Sequence, residues 1–196
     1  MTPSTQPDLF GDCEPPFPDG FELRDAFIDV ETERVLLAHI GSLVLAPARY
    51  KAYTARRLVA SFGGQFDYDV NVLRPGAPLP DFLTPLRERA GAWLGVASDA
   101  FDHALIAKYP PGTPLGWHRD VPDFDSVFGL SLGAPARLKL RPFGETPSRQ
   151  RTLNVTLKPR SAYLLRGPAR WAWQHAIAPT EAMRWSITLR TRRVWR

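Results

Sequence analysis

Arg184-Trp185-Ser186-Ile187-Thr188-Leu189-Arg190 is the stretch that decides how this chain folds. Read as a β-strand, it sends Arg184, Ser186, Thr188 and Arg190 to one face and Trp185, Ile187 and Leu189 to the other. With the apolar set turned outward, two arginines and two hydroxyls face an interior. A structural core does not hold such a set, because a buried guanidinium needs an anion beside it. A dicarboxylate bound inside would supply that anion through bidentate contacts. The alternative is an edge strand with a solvated polar face.

Working outward, residues 104–109, 127–132, 137–140, 153–157 and 161–165 are further short strand-like runs, separated by Gly, Pro and charged turn residues. Ahead of them lie two helical patterns. Asp29-Val30-Glu31-Thr32 precedes Val35, Leu36, Ile40 and Leu43 at helical spacing, with acidic residues in the first turn. Asp81, a candidate N-cap, opens a second pattern through Phe82, Leu86, Ala90, Trp93 and Leu94, reaching about Val96. Helices first and short strands afterwards predict an α+β fold, a double-sheet roll with N-terminal helices packed on one sheet. Residues 1–20, rich in Pro, Asp and Gly, read as a disordered tail before a single domain over 21–196.

Composition bounds the function without choosing it. No apolar run approaches the roughly 20 residues of a membrane span, and no basic-then-apolar leader is visible. A single cysteine, Cys13, excludes an internal disulfide and fits the cytoplasm. A monomer is expected. Four lysines stand against 21 arginines in a net charge of +5, a balance that favours polyanionic partners, unless it reflects only a GC-rich coding sequence.

His118-Arg119-Asp120 is the motif with metal chemistry in it. In an extended backbone, residues i and i+2 share a face, so an imidazole and a carboxylate there reach adjacent positions on one metal. A third ligand has to come from His39 in the first helix, His103 just ahead of a strand, or His175 in Trp173-Gln174-His175-Ala176-Ile177. Two histidines and one carboxylate leave three positions open and indicate non-haem Fe(II) oxygen chemistry. The same tripeptide opens a kinase catalytic loop, but that loop needs Asn five residues after the Asp. This chain has Asp125 there and lacks the Gly-rich loop and DFG motif.

Residues Ala104–Asp120, Leu130-Ser131-Leu132-Gly133, Trp173-Gln174-His175 and Arg184–Arg190 occur in this order, and together they resemble the AlkB-type 2-oxoglutarate dioxygenases, oxidative demethylases of nucleic acids. The resemblance runs over roughly residues 21–193. It implies a double-stranded β-helix (jelly-roll) core with Fe(II) on His118, Asp120 and His175. It also implies that 2-oxoglutarate is held by Arg184, with Tyr109 and Ser186, and that Arg190 supports Asp120 near the metal. The implied reaction converts 2-oxoglutarate and O2 to succinate and CO2 while an N-methyl group is hydroxylated and lost as formaldehyde. Ala107 and Ser186 stand where the family often has Asn, which predicts altered cosubstrate affinity. Pro122 stands where DNA-repair members often have an acidic residue that contacts the base.

Residues 56–68 sit where the family carries its nucleotide-recognition lid. Phe62, Phe66 and Tyr68 are candidate base stackers, Arg56 and Arg57 candidate phosphate contacts, and Gly63-Gly64 a candidate hinge. The aromatics read equally as the core of a β-hairpin. The C-terminal run from Arg190 to Arg196 is basic with one aromatic and reads first as a solvated tail. Gln6-Pro7-Asp8-Leu9-Phe10 resembles the short peptide by which bacterial replication and repair proteins dock on the sliding clamp, with Pro7 in place of the usual leucine. Three functions therefore stand side by side: a demethylase of methylated DNA or RNA, the same chemistry on a protein or small molecule, and a non-catalytic binder of alkylated nucleic acid.

Overall fold

The computed structural model describes residues 17–50, 53–67, 70, 72–144 and 152–194. Strands β1 (Phe21–Arg24), β2 (Ala46–Tyr50), β3 (Tyr53–Phe62), β4 (Gly64–Asp67) and β5 (Val72–Pro75) precede β6 (Phe101–Tyr109), with α1 (Val30–Gly41) and α2 (Thr84–Leu94) among them. After β6 come β7 (Leu115–His118), β8 (Phe124–Gly133), β9 (Ala136–Pro142), β10 (Leu153–Leu157) and β11 (Ala162–Leu165). The short α3 (Gly167–Trp171), β12 (Trp173–Ile177) and β13 (Arg184–Arg192) follow.

Two antiparallel sheets face each other. The larger runs β1-β11-β8-β13-β6-β3-β2, the smaller β10-β9-β12-β7, and β4-β5 form a separate ribbon. Alternation along each strand builds two cores. On the outer face of the larger sheet, Ile106, Leu130, Ile187 and Leu189 pack against Leu36 and Ile40 of α1 and Leu86, Ala90 and Leu94 of α2. Between the sheets, Leu138, Leu140, Val155 and Leu157 pack against Val127, Leu165 and Phe21. The apolar face of β13 is therefore turned outward from the roll but is buried beneath helices.

Local chemistry sets the helix ends. Asp29 caps α1 by accepting from the Thr32 amide at 2.7 Å. Glu33 of α1 is buried, accepting from the Gly133 amide at 2.9 Å and pairing with Arg160 at 2.7 Å, which ties the helix to the larger sheet.

Four expectations need correction. Asp81 is not an N-cap: it begins a single 3-10 turn, Asp81–Leu83, and α2 starts at Thr84 with proline in its first turn. The N-terminal part is richer in strands than its polar, proline-broken sequence suggests, since β2 and β3 extend the larger sheet. His103 lies within β6, not ahead of it. Residues 17–20, expected in the tail, dock on α3 and the end of β11: Arg166 and Ala169 donate to the carbonyls of Gly20 and Asp19 at 3.0 and 2.9 Å. Residues 1–16, including Gln6–Phe10 and Cys13, lie outside the described residues.

Candidate functional site

The inner face of the larger sheet carries a lane of polar side chains down β13. Arg184 is flanked by Tyr109 and Gly133, Ser186 by Ala107 and Ser131, Thr188 by Leu105 and Gly129, and Arg190 by His103 and Val127. Arg184, Ser186 and Arg190 are all buried, with Arg184 only 2% exposed. Its Nε donates to Ser131 Oγ at 3.1 Å, its guanidinium lies 4.8 Å from the centre of the Tyr109 ring, and its Nη1 is buried without a hydrogen-bond partner.

The smaller sheet faces this lane with the metal-binding set. His175 of β12 pairs directly with His118 of β7, their ring centres 4.2 Å apart. Asp120 lies two residues beyond His118, and the ligand atoms of all three lie within 4.8 Å of one another. The loop bearing Asp120 is pinned by Arg170, which donates to the carbonyls of Asp120, Val121 and Phe124 at 3.2, 2.7 and 2.8 Å.

The Asp120 carboxylate is divided between two jobs. Oδ1 accepts from Arg190 Nε at 2.7 Å and forms an ion pair with Nη2 of the same guanidinium at 2.6 Å. Oδ2 is buried, has no hydrogen-bond partner, and lies 3.6 Å from His175 Nε2. Burial would raise this carboxyl, but Arg190 above all, with the histidines and Arg170, holds it well below the usual carboxylate range.

Both histidines are kept neutral. Burial, then His118, pushes His175 down to about 3, and desolvation lowers His118 despite Asp120. His118 Nδ1 lies 2.9 Å from the Gly116 carbonyl, so it carries the proton and leaves Nε2 as the free lone pair. Arg190 is steadied from behind. Its Nη1 lies 3.1 Å from His103 Nδ1, His103 Nε2 lies 3.1 Å from Ser61 Oγ, and Ser61 donates to the Gly64 carbonyl at 2.7 Å. That chain fixes the tautomer: Nε2 donates to Ser61 and Nδ1 accepts from Arg190. Burial, then Arg190, pushes His103 down to about 3. Neutral His103 is the form this chain requires.

A buried carboxylate oxygen without a partner, beside two neutral imidazoles, is a donor set for a divalent cation that leaves positions open. A buried guanidinium nitrogen without a partner, beside Tyr109 and Ser131, suits the far carboxylate of a small dicarboxylate. The residues present therefore fit Fe(II) and 2-oxoglutarate.

Sequence reasoning missed Ser61 and Tyr163, and it missed the roles of Ser131 beside Arg184 and of His103 beside Arg190. Tyr163 of β11 lies across Gly129 of β8, where a Cβ would fall 2.6 Å from its hydroxyl, so only glycine admits the ring. The phenol is pushed up to about 12 by burial, opposed by Arg184 and reinforced by Asp120 and Tyr109, groups that all border the same lane. Strand parity around Arg184 and Arg190 would have located these neighbours only once the strand order was known.

The expected lid residues separate. Arg57 is half-buried, its Nε has no partner, and its charge lowers His118. Arg56 is exposed, with Nη1 directed toward Gly112. Phe66 pairs with Leu73 in the β4–β5 ribbon. Tyr68 lies outside the described residues. Phe62 as a base stacker is corrected: next to inward Ser61 in an alternating strand, it points the other way and packs on the helix-side core. Gly63, with φ of 81°, supplies the left-handed turn between β3 and β4.

Comparisons with known proteins agree with this geometry. Residues 36–194 match the model of the 2OG-Fe(II) oxygenase superfamily. The Arabidopsis thaliana "Alkylated DNA repair protein ALKBH8 homolog" is 31% identical over 188 residues, covering 85% of this chain and 52% of that protein. The Mus musculus "tRNA (carboxymethyluridine(34)-5-O)-methyltransferase ALKBH8" is 27% identical over 169 residues, 83% of this chain and 24% of that protein. The chain thus spans about half the length of the first relative and a quarter of the second. Among solved structures, OsALKBH1 superposes with a TM-score of 0.64 at 14% identity, over 88% of this chain and 98% of that one. A Pseudomonas putida prolyl-4-hydroxylase does so with 0.58 at 15%, over 90% and 94%. These two likenesses concern the fold alone. The fold, the match over residues 36–194 and the paired histidines converge, and the chain belongs to the 2OG-Fe(II) oxygenase superfamily.

Proposed function

We propose that this chain removes N-linked methyl groups from bases of DNA by oxidation, with Fe(II) on His118, Asp120 and His175 and 2-oxoglutarate on Arg184. The observation that carries the reading is the pair of orphaned buried atoms, Asp120 Oδ2 and Arg184 Nη1, on opposite walls of one lane. When bound, Fe(II) with 2-oxoglutarate supplies the oxidising power, taking O2 and giving succinate and CO2.

The chain's own residues position and shield. Arg190 occupies Asp120 Oδ1 with a hydrogen bond from Nε and an ion pair from Nη2, which leaves Oδ2 for the metal. Gly116 holds His118 by Nδ1, which leaves Nε2 for the metal. Arg184, between Ser131 and Tyr109, would grip the far carboxylate, with the hydroxyls of Ser186 and Tyr163 beside it. Ala107 and Ser186 leave the space that larger amides would take, and Tyr163 crosses Gly129 into that lane. The nucleic-acid substrate is supported by Arg57, whose buried Nε has no hydrogen-bond partner and whose charge reaches His118, by the 21 arginines and by the name of the Arabidopsis relative.

The test is formaldehyde release. The purified chain with Fe(II), O2 and 2-oxoglutarate is expected to release it from oligonucleotides carrying 1-methyladenine or 3-methylcytosine, with loss of the methyl mark. Succinate formed without methyl loss would remove DNA as the substrate and move the reading to a protein or small molecule. No turnover at all would leave the non-catalytic binder.

A further inference from the structure

The two outer faces of the roll differ in what covers them. Helices α1 and α2 lie on the larger sheet. The smaller sheet turns its outer face away from both cores, and none of its four strands contains an aspartate or glutamate. Along β9, Arg137, Lys139 and Arg141 alternate with buried Ala136, Leu138 and Leu140. Three cations thus project from one strand, each roughly 7 Å from the next.

Across the sheet, β7 brings Trp117 beside them. The Arg141 guanidinium lies 4.2 Å from the centre of the Trp117 ring and Lys139 Nζ lies 5.8 Å from it. Gln174, on the strand between, accepts from Arg141 Nε at 3.0 Å and steadies the stack. A second stack stands at the end of the same track, where Arg119 lies 3.5 Å over the ring of Phe143, itself 48% exposed. Arg119 separates His118 from Asp120, so the track ends at the metal-binding set.

Surface cations usually find carboxylates nearby, but exposed Arg137 and half-buried Lys139 and Arg141 have none in the strands of this face. A chain of phosphates would supply the missing charge, and guanidinium–aromatic stacks are platforms on which unpaired bases stack without regard to sequence. A sheet face over which no described element packs suits splayed bases better than a closed duplex. We propose that the outer face of the smaller sheet docks single-stranded DNA, leading the strand that carries the target base toward His118. This rests on the nucleic-acid reading above and adds where the flanking strand runs.

The test uses the full, metal-free chain and a fluorescein-labelled, unmethylated single-stranded DNA of about 15 nucleotides, followed by anisotropy over a salt series. Wild type is compared with the triple variant R137Q/K139Q/R141Q. The triple variant is expected to bind at least about tenfold more weakly. Its plot of log affinity against log salt should be shallower by about 2, because each phosphate neutralised on a single strand contributes about 0.7. Equal affinity and slope in the two proteins would overturn the proposal. Should the triple variant fail to fold, Lys139→Gln alone keeps the test, with an expected slope change of about 0.7. The two readings fail separately. Face-dependent binding by a wild type that releases no formaldehyde leaves the docking face and removes the reaction. Formaldehyde release from a methylated oligonucleotide at equal kcat/KM in wild type and triple variant leaves the reaction and removes the face.

Discussion

The larger and smaller sheets share one interior but hold it in opposite ways. The larger sheet is covered by helices on its outer face and presents arginines, hydroxyls and phenols inward, suited to an organic anion. The smaller sheet offers two imidazoles and the adjoining carboxylate inward, suited to a cation, and its other face carries the cations of β9 with no helix packed on it among the described residues. The difference shows where a roll can afford buried charge. Arg190 of the larger sheet finds its counter-charge on the opposite wall, reaching across to Asp120.

That division is open to attack by substitution. Replacing His118 or Asp120 with Ala should abolish succinate formation, a loss of more than about a thousandfold, because positions that bind the metal cannot be shared out. Retained turnover in His118→Ala would mean the iron site is misplaced. Arg184→Gln should act on the other wall, raising KM for 2-oxoglutarate by about 30-fold or more with a smaller change in kcat, since truncating one partner of a buried charge pair costs about 2–5 kcal/mol. An unchanged KM would take the anion away from the larger sheet.

Where the walls meet, His103→Leu should weaken Fe(II) binding by about 10- to 100-fold, the usual range for a group that orients a ligand, and His103→Asn, which keeps an acceptor for Arg190, should recover part of it. Acid should loosen the same junction in the metal-free protein. His103 and His175 sit near 3 when folded against 6.5 when free, so the unfolded chain binds more protons between those values. Stability is full above about pH 6.5 and is lost as pH falls toward 3, by up to about 1.4 kcal/mol per pH unit for each histidine. Tm measured across that range should fall less steeply in His103→Gln. The smallest effect is expected at Phe62→Leu, roughly 1 kcal/mol of stability with no change in substrate KM, because that ring belongs to the helix-side core.

Most of the interior was legible because strands alternate. The parity of Arg184 to Arg190 placed the inward polar lane, and His118-x-Asp120 read as a metal pair, weak alone and stronger with that lane beside it. Phe62 was assigned by its place in the lid segment and not by parity, and the run from 56 to 68 gave no sign that β3 joins the larger sheet. His103, Ser61 and Tyr163 were hidden for a different reason. They matter through cross-strand neighbours such as Arg190 and Gly129, and strand order is not written in any one segment. The same holds for the basic outer face, whose cations lie on β9 while its tryptophan lies on β7.

The most direct test of the Fe(II) and 2-oxoglutarate centre is an anaerobic titration of the purified chain with Fe(II), followed by 2-oxoglutarate, read by calorimetry. One metal per chain is predicted, with 2-oxoglutarate binding strengthened by the metal, metal binding lost in His175→Ala, and 2-oxoglutarate binding lost in Arg184→Gln while its metal remains. Fe(II) bound with equal affinity by His175→Ala, or 2-oxoglutarate bound equally well without Arg184, would contradict the account.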